Sequence, residues 1–137
     1  MGFTNDPDVI RQVLTGTTTW AVVGLGDNRA RPAYHVAAFL QAQGKRIVPV
    51  HPSAASVHGE AGYRSLSEIP FGVDVVDVFR RSSAAGAIAD EAITIGAGAV
   101  WFQLGVVDED AATRVRAAGL DMVMDTCPMI EWPRLIG

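Results

Sequence analysis

The chain has 137 residues, 49% hydrophobic and 19% charged, the make-up of one folded domain with its own core rather than a disordered segment. Its formal charge of −4 offers no general attraction to nucleic acid or anionic lipid, so phosphate recognition has to be local. The lone Cys127 excludes an intrachain disulfide and a multi-cysteine metal site; with no secretory start and no apolar run near the roughly 18 residues of a membrane helix, a reducing, cytoplasmic setting is expected.

Asn5-Asp6-Pro7 is a helix start, because proline at the first helical position gives up an amide that has no partner anyway, and the helix should run to about Leu14. Residues 17–25 (TTTWAVVGL) are β-branched and then continuously apolar, as in a strand covered on both faces. From Pro32 to Gln43 the apolar spacing turns helical, with Gly44 as its stop. A second strand follows over 45–50, where Pro49 removes a ladder donor and should sit at the strand's end or at an irregular pairing position. Beyond a polar loop, Ser65-Leu66-Ser67-Glu68 has the spacing of a capping box and predicts a single helical turn.

Residues 73–79 form the third strand, and Ser82 or Ser83 should cap a helix ending near Ile95. Residues 99–103 make a fourth strand, Asp108 opens a helix with Glu109 and Asp110 in its first turn, and 120–124 make a fifth strand. The remaining tail, rich in Pro, Met and Trp, reads as irregular. Strands alternating with helices imply an α/β, Rossmann-like, doubly wound parallel sheet of five strands with helices on both faces, its expected order 3-2-1-4-5. Such sheets bind ligands beyond the carboxyl ends of the strands, which brings together the loop 24–31, Val50-His51-Pro52, Phe79-Arg80-Arg81-Ser82 and Gln103-Leu104-Gly105.

Gly24-Leu25-Gly26-Asp27-Asn28-Arg29-Ala30-Arg31 joins a strand to a helix, where glycine lets backbone amides approach a pyrophosphate. On their own the glycines require only a tight turn; Arg29 and Arg31 beside a helix N-terminus favour phosphate. The dinucleotide fingerprint fails twice: Arg29 replaces its third glycine, and the second strand ends without the carboxylate that would hold ribose hydroxyls. NADP and coenzyme A, each with a further ribose phosphate, both suit that edge.

His51 reads equally as a contact for adenine or phosphate and as the polar lead into a proline turn. Phe79 with Arg80 and Arg81 offers an apolar plate and two anion contacts, or a core phenylalanine followed by solvated arginines. Asp77, within an apolar strand, needs partners, and backbone amides of a neighbouring turn are the expected ones. His35, His51 and His58 lack metal-ligand spacing, and no catalytic set is recognisable. Cys127 is a small buried hydrophobe or a thiol near the cleft. Trp132 is expected to cover the sheet edge or a partner.

Taken in order, AVVGLGD at 21–27, Arg31-Pro32, IVPVHP at 47–52, VVDVFRR at 75–81, WFQLGV at 101–106 and VMDTCP at 123–128 resemble the small stand-alone CoA-binding proteins, themselves similar to the N-terminal CoA-binding domain of the succinyl-CoA synthetase alpha subunit. The resemblance covers about Thr18 to Leu135. It implies that Gly24, Gly26, Asp27, Asn28, Arg29 and Arg31 hold the CoA phosphates. Val50, His51 and Pro52 would lie beside the adenosine, with Phe79, Arg80, Gln103 and Leu104 along the pantetheine arm. His51 stands where the family more commonly has asparagine, and Thr126 and Trp132 stand where it has basic residues. The implied function is a binding or regulatory module for CoA or an acyl-CoA, without synthetase activity, leaving a protein partner or self-association open. The alternative is an NADP-dependent reductase or redox-sensing domain.

Overall fold

The N-terminal helix forms where the sequence supplies a cap: the Asp6 carboxylate accepts the Asp8 amide, and Pro7 opens α1 (Pro7–Thr15). In the computed structural model, which describes residues 2–137, the chain continues through β1 (Thr19–Val23), α2 (Pro32–Ala42), β2 (Arg46–Val50) and a 3-10 turn (Leu66–Glu68). It then forms β3 (Val75–Val78), α3 (Ser82–Thr94), β4 (Ala99–Phe102), α4 (Glu109–Ala117), β5 (Asp121–Val123) and α5 (Pro128–Leu135). Among the described residues no helix is long and apolar enough to cross a membrane.

The five strands form one parallel sheet in the order β2-β1-β3-β4-β5, which corrects the expected 3-2-1-4-5. Pro49 explains the difference. An interior strand loses a ladder bond at proline, whereas an edge strand can turn that position outward. Here β2 is the edge, the Pro49 carbonyl accepts the Tyr63 amide, and the His51 amide donates to the Tyr63 carbonyl. This bridge takes the place next to β2 that β3 was expected to fill, and β3 pairs with β1 instead, Val23 opposite Val78. The winding therefore reverses between β1 and β3, and the segments that follow those two strands become neighbours.

Alternating strand residues build two cores. Ala21, Val48, Val76, Val100 and Met122 pack with α3 and α4, while Trp20, Ile47, Val75 and Trp101 pack with α1, α2 and α5. Helices thus cover both faces. The Trp20 and Trp101 rings meet at 5.6 Å, and their indole N–H groups donate to Thr17 Oγ1 and the Thr126 carbonyl, so burial strands neither.

Three local expectations change. The tail is helical: Cys127 is the N-cap of α5, Pro128 takes the first position, and Trp132 meets the Phe39 ring edge-on at 6.2 Å. Tertiary packing holds this short helix despite Pro133 within it. Ser65 precedes the expected turn, but its hydroxyl bonds Ser67 Oγ rather than a turn amide. Neither Ser82 nor Ser83 caps α3, because Arg81 is the N-cap. Ser82 Oγ instead accepts the Val107 amide at 2.9 Å, tying the β3–α3 and β4–α4 loops together.

Candidate functional site

A cleft of about 890 Å³ opens over the carboxyl ends of β1, β3 and β4. Its floor begins at Gly24, whose φ of 103° and missing side chain are both required: a Cβ there would stand 2.7 Å from the Phe79 carbonyl oxygen. The Gly24 amide donates to the Val50 carbonyl at 2.8 Å, so the backbone leaves β1 between the ends of β2 and β3. Gly26 makes room for His51, whose nearest ring carbon lies 3.1 Å from where a Cβ would be.

Of the sequence candidates, Gly24, Arg31, His51, Pro52, Phe79, Arg80, Gln103 and Leu104 line the cleft together. Gly26, Asp27, Asn28, Arg29 and Val50 do not. Asn28 shapes the loop, its Oδ1 accepting the Ala30 amide and its carbonyl the Arg31 amide. Arg29 lies 6.0 Å from the Tyr34 ring centroid, a cation–π contact outside the cleft. Val50 is buried in the sheet core. The site also takes in Arg81, Gly105 and Cys127, which sequence order places nearby. Pro32, Ala33, Val36 and Val106 join them, as does Ile130, concealed by the reading of the tail as irregular.

The electrostatics follow from how the helices begin. Arg31 and Arg81 are the N-caps of α2 and α3, neither helix has a side-chain cap bond, and neither has an acidic residue in its first turn. By contrast, Asp6 and Asp108 cap α1 and α4. The partial positive charge of two helix ends therefore adds to Arg31, Arg80 and Arg81, and among the described residues no carboxylate lines the cleft. In a chain of net charge −4 this is a local concentration of positive charge. His51 Nδ1 accepts the Ser53 amide at 3.1 Å, so the neutral ring carries its proton on Nε2, the nitrogen beside Gly26.

Beneath the cleft, Asp77 is fully buried. Its partner is the Gln103 side-chain amide, which donates to Oδ1 at 2.7 Å, rather than the backbone amides expected from the sequence, and Oδ2 has no partner among the described residues. Burial pushes this carboxyl up to about 8, with the Gln103 bond opposing, so it is protonated at neutral pH. Cys127 lines the cleft half-buried; burial raises its thiol above the ordinary value, opposed by the Met129 and Ile130 amides. Asp125, at a φ of 61°, accepts the Gly105 amide at 2.7 Å and fixes the loop beyond β4 to the end of β5. Among the described residues no group of three His, Cys, Asp or Glu side chains is placed to hold a metal ion.

Comparison with known proteins places this cleft in a family context. Residues 18–133 match the family model described as CoA binding domain. The chain is 35% identical over 118 residues to "Uncharacterized protein YneT" of Bacillus subtilis (strain 168), covering 86% of this chain and 87% of that one. A solved "hypothetical protein from Pyrococcus horikoshii OT3" superposes with a TM-score of 0.90 at 32% identity, covering 100% of both chains. A dinucleotide-forming acetyl-coenzyme A synthetase 1 of Ca. Korarchaeum cryptofilum matches with a TM-score of 0.69 and 17% identity, over 82% of this chain and 26% of that one, which shows a shared fold.

Proposed function

The chain belongs to the CoA-binding domain family, and from that premise we propose that the cleft binds coenzyme A or an acyl-CoA. The observation that carries this reading is the pair of uncapped, arginine-led helix ends, α2 and α3, opening on a cleft without carboxylates among the described residues. The phosphates sit at Arg31, Arg80 and Arg81, and the adenosine end lies toward His51 and Pro52. The pantetheine arm follows Phe79, Gln103 and Leu104 toward Val106 and Ile130, where the lining becomes apolar. Gln103 presents its amide to that arm, and Asp77 holds the amide in place.

The protein binds its ligand rather than transforming it. Its cleft offers arginines, one histidine, an amide and a protonated thiol, with no carboxylate base beside a nucleophile among the described residues. It acts as a binding or regulatory module in a reducing compartment, its effect passing through a partner protein.

Thermal unfolding with CoA, dephospho-CoA, NADP and NAD tests this. CoA should give the largest rise in melting temperature, since ligand at a hundred times its Kd adds about 2.7 kcal/mol to stability. A rise with NADP or NAD and none with millimolar CoA would replace this reading with the reductase or redox-sensing alternative.

A further inference from the structure

The cleft is divided along the sheet. In the spatial order β1, β3, β4, β5, its arginines follow the first two strands, Arg31 after β1 and Arg80 and Arg81 after β3. The lining that follows β4 and β5 carries no charged side chain among the described residues, and its large apolar members are Leu104 and Ile130. Leu104 is 63% exposed and Ile130 47%, although both line a concave site. Single apolar side chains at a surface are ordinary, but these two belong to a cluster. Among the described residues, four of the five large hydrophobics left exposed, Leu104, Val107, Met129 and Ile130, lie on the β4–α4 loop and the first turn of α5. The Gly105 amide donates to Asp125 Oδ1 at 2.7 Å, so that loop is tied to the chain leaving β5 just ahead of α5. Ala33 and Val36 of α2 join the same lining, and α2 packs on α5 through the Phe39 and Trp132 rings.

Resting on the CoA reading above, we infer that the ligand is an acyl-CoA whose acyl group is uncharged and apolar, and that Leu104 and Ile130 select it. The two halves of the cleft complement the two ends of such a molecule, polyanionic at the nucleotide and hydrocarbon beyond the thioester. From β1 to β5 there are three strand spacings, about 14 Å, and an extended pantetheine arm is of that order. With its phosphates at the arginines, the ligand brings its sulfur to the β4–β5 half. Free CoA ends there in a small thiol and leaves Leu104 and Ile130 in water. An acyl chain continues past the sulfur onto them, and covering apolar surface that the free protein exposes is favourable in proportion to its area. A carboxylate at the end of that chain would lose its hydration against the same wall, with no arginine in this half of the lining to pair with it, which disfavours dicarboxylic acyl groups.

Titration calorimetry on the full chain compares CoA with acetyl-, butyryl- and hexanoyl-CoA. It also compares malonyl-CoA with isovaleryl-CoA, which have nearly the same shape but end in a carboxylate and an isopropyl group. Complete burial of one methylene tightens binding about fourfold. On a wall open to solvent at least about twofold per methylene is expected, or roughly 15-fold from acetyl to hexanoyl. Isovaleryl-CoA should bind at least about tenfold more tightly than malonyl-CoA. Leu104→Ser and Ile130→Ser should each flatten the chain-length series. The readout is the slope within each protein, so an effect on the arm shared by every ligand cancels. If CoA binds but the series is flat, or malonyl-CoA matches isovaleryl-CoA, the acyl inference falls and the CoA reading stands. A slope that survives in both variants also overturns the inference, because the chain then lies away from Leu104 and Ile130. If neither CoA nor any acyl-CoA binds, the CoA reading falls and takes the inference with it.

Discussion

Replacing Asp77 with asparagine is expected to stabilise the protein at neutral and mildly alkaline pH and to remove a decline in stability between about pH 4 and pH 8, the window set by the ordinary carboxyl value and the buried one. Below that window the carboxyl is protonated whether the chain is folded or not, and its contribution is complete. As pH rises, the unfolded chain releases the proton while the folded chain keeps it until about 8. Each unit between the two favours unfolding by about 1.4 kcal/mol. At pH 7 the accumulated cost is on the order of 4 kcal/mol, reduced by whatever relaxation the unfolded state or the site allows.

The carboxamide of Asp77→Asn would keep an oxygen for Gln103 Nε2, which now lies 2.7 Å from Asp77 Oδ1, and would put its NH2 group where the unpartnered Oδ2 stands. The protonated acid has the same orphan, so that penalty cancels. Urea unfolding of both proteins across this range should give curves that agree within about 1 kcal/mol near pH 4 and diverge by about 2 to 4 kcal/mol near pH 7.5. Parallel curves would mean that Asp77 ionises normally. That the acid stays despite this cost fits a positioning role, since an apolar residue at position 77 would leave the Gln103 amide free to turn.

The sheet and helices were legible where the signal is local. The apolar runs at 17–25 and 73–79, and the caps at Asp6 and Asp108, act through neighbours within a few residues, and the elements form there with ends shifted by one or two positions. The strand order 3-2-1-4-5 was misread although Pro49 carried the signal against it: its missing amide suits an edge strand, and an edge β2 has no β3 beside it. The tail was not legible, because Pro128 serves as a helix start only when α5 has α1 and α2 to pack on. The Asp77–Gln103 bond joins residues 26 apart, on strands whose adjacency depends on that same strand order. Composition could mark Asp77 as anomalous but could not supply its partner. Within the glycine loop, spacing alone gave Arg29 and Arg31 equal weight, and only the direction in which α2 begins separates them.

Arg31→Ala is accordingly expected to weaken CoA binding strongly, and Arg29→Ala weakly. Arg31 is an exposed N-cap with extended backbone, on the cleft, and it enters no ion pair among the described residues, so its loss should leave the melting temperature of the free protein unchanged. Its guanidinium is held ready for an anion beside the unpaired amides of the first turn of α2, an arrangement in which charge and helix end reinforce one another. A charge-assisted contact of this kind contributes about 1.5 to 3 kcal/mol, which is roughly a 10- to 150-fold rise in Kd when it is lost. Arg29, engaged with Tyr34 away from the cleft, contributes only through longer-range attraction that salt screens. Titration calorimetry at low and high ionic strength separates the two. Arg29→Ala should approach native affinity as salt rises, while Arg31→Ala should remain weak at both. The reverse ranking, with Arg29→Ala the more damaging, would move the phosphates to the outer side of the glycine loop and detach them from the cleft altogether.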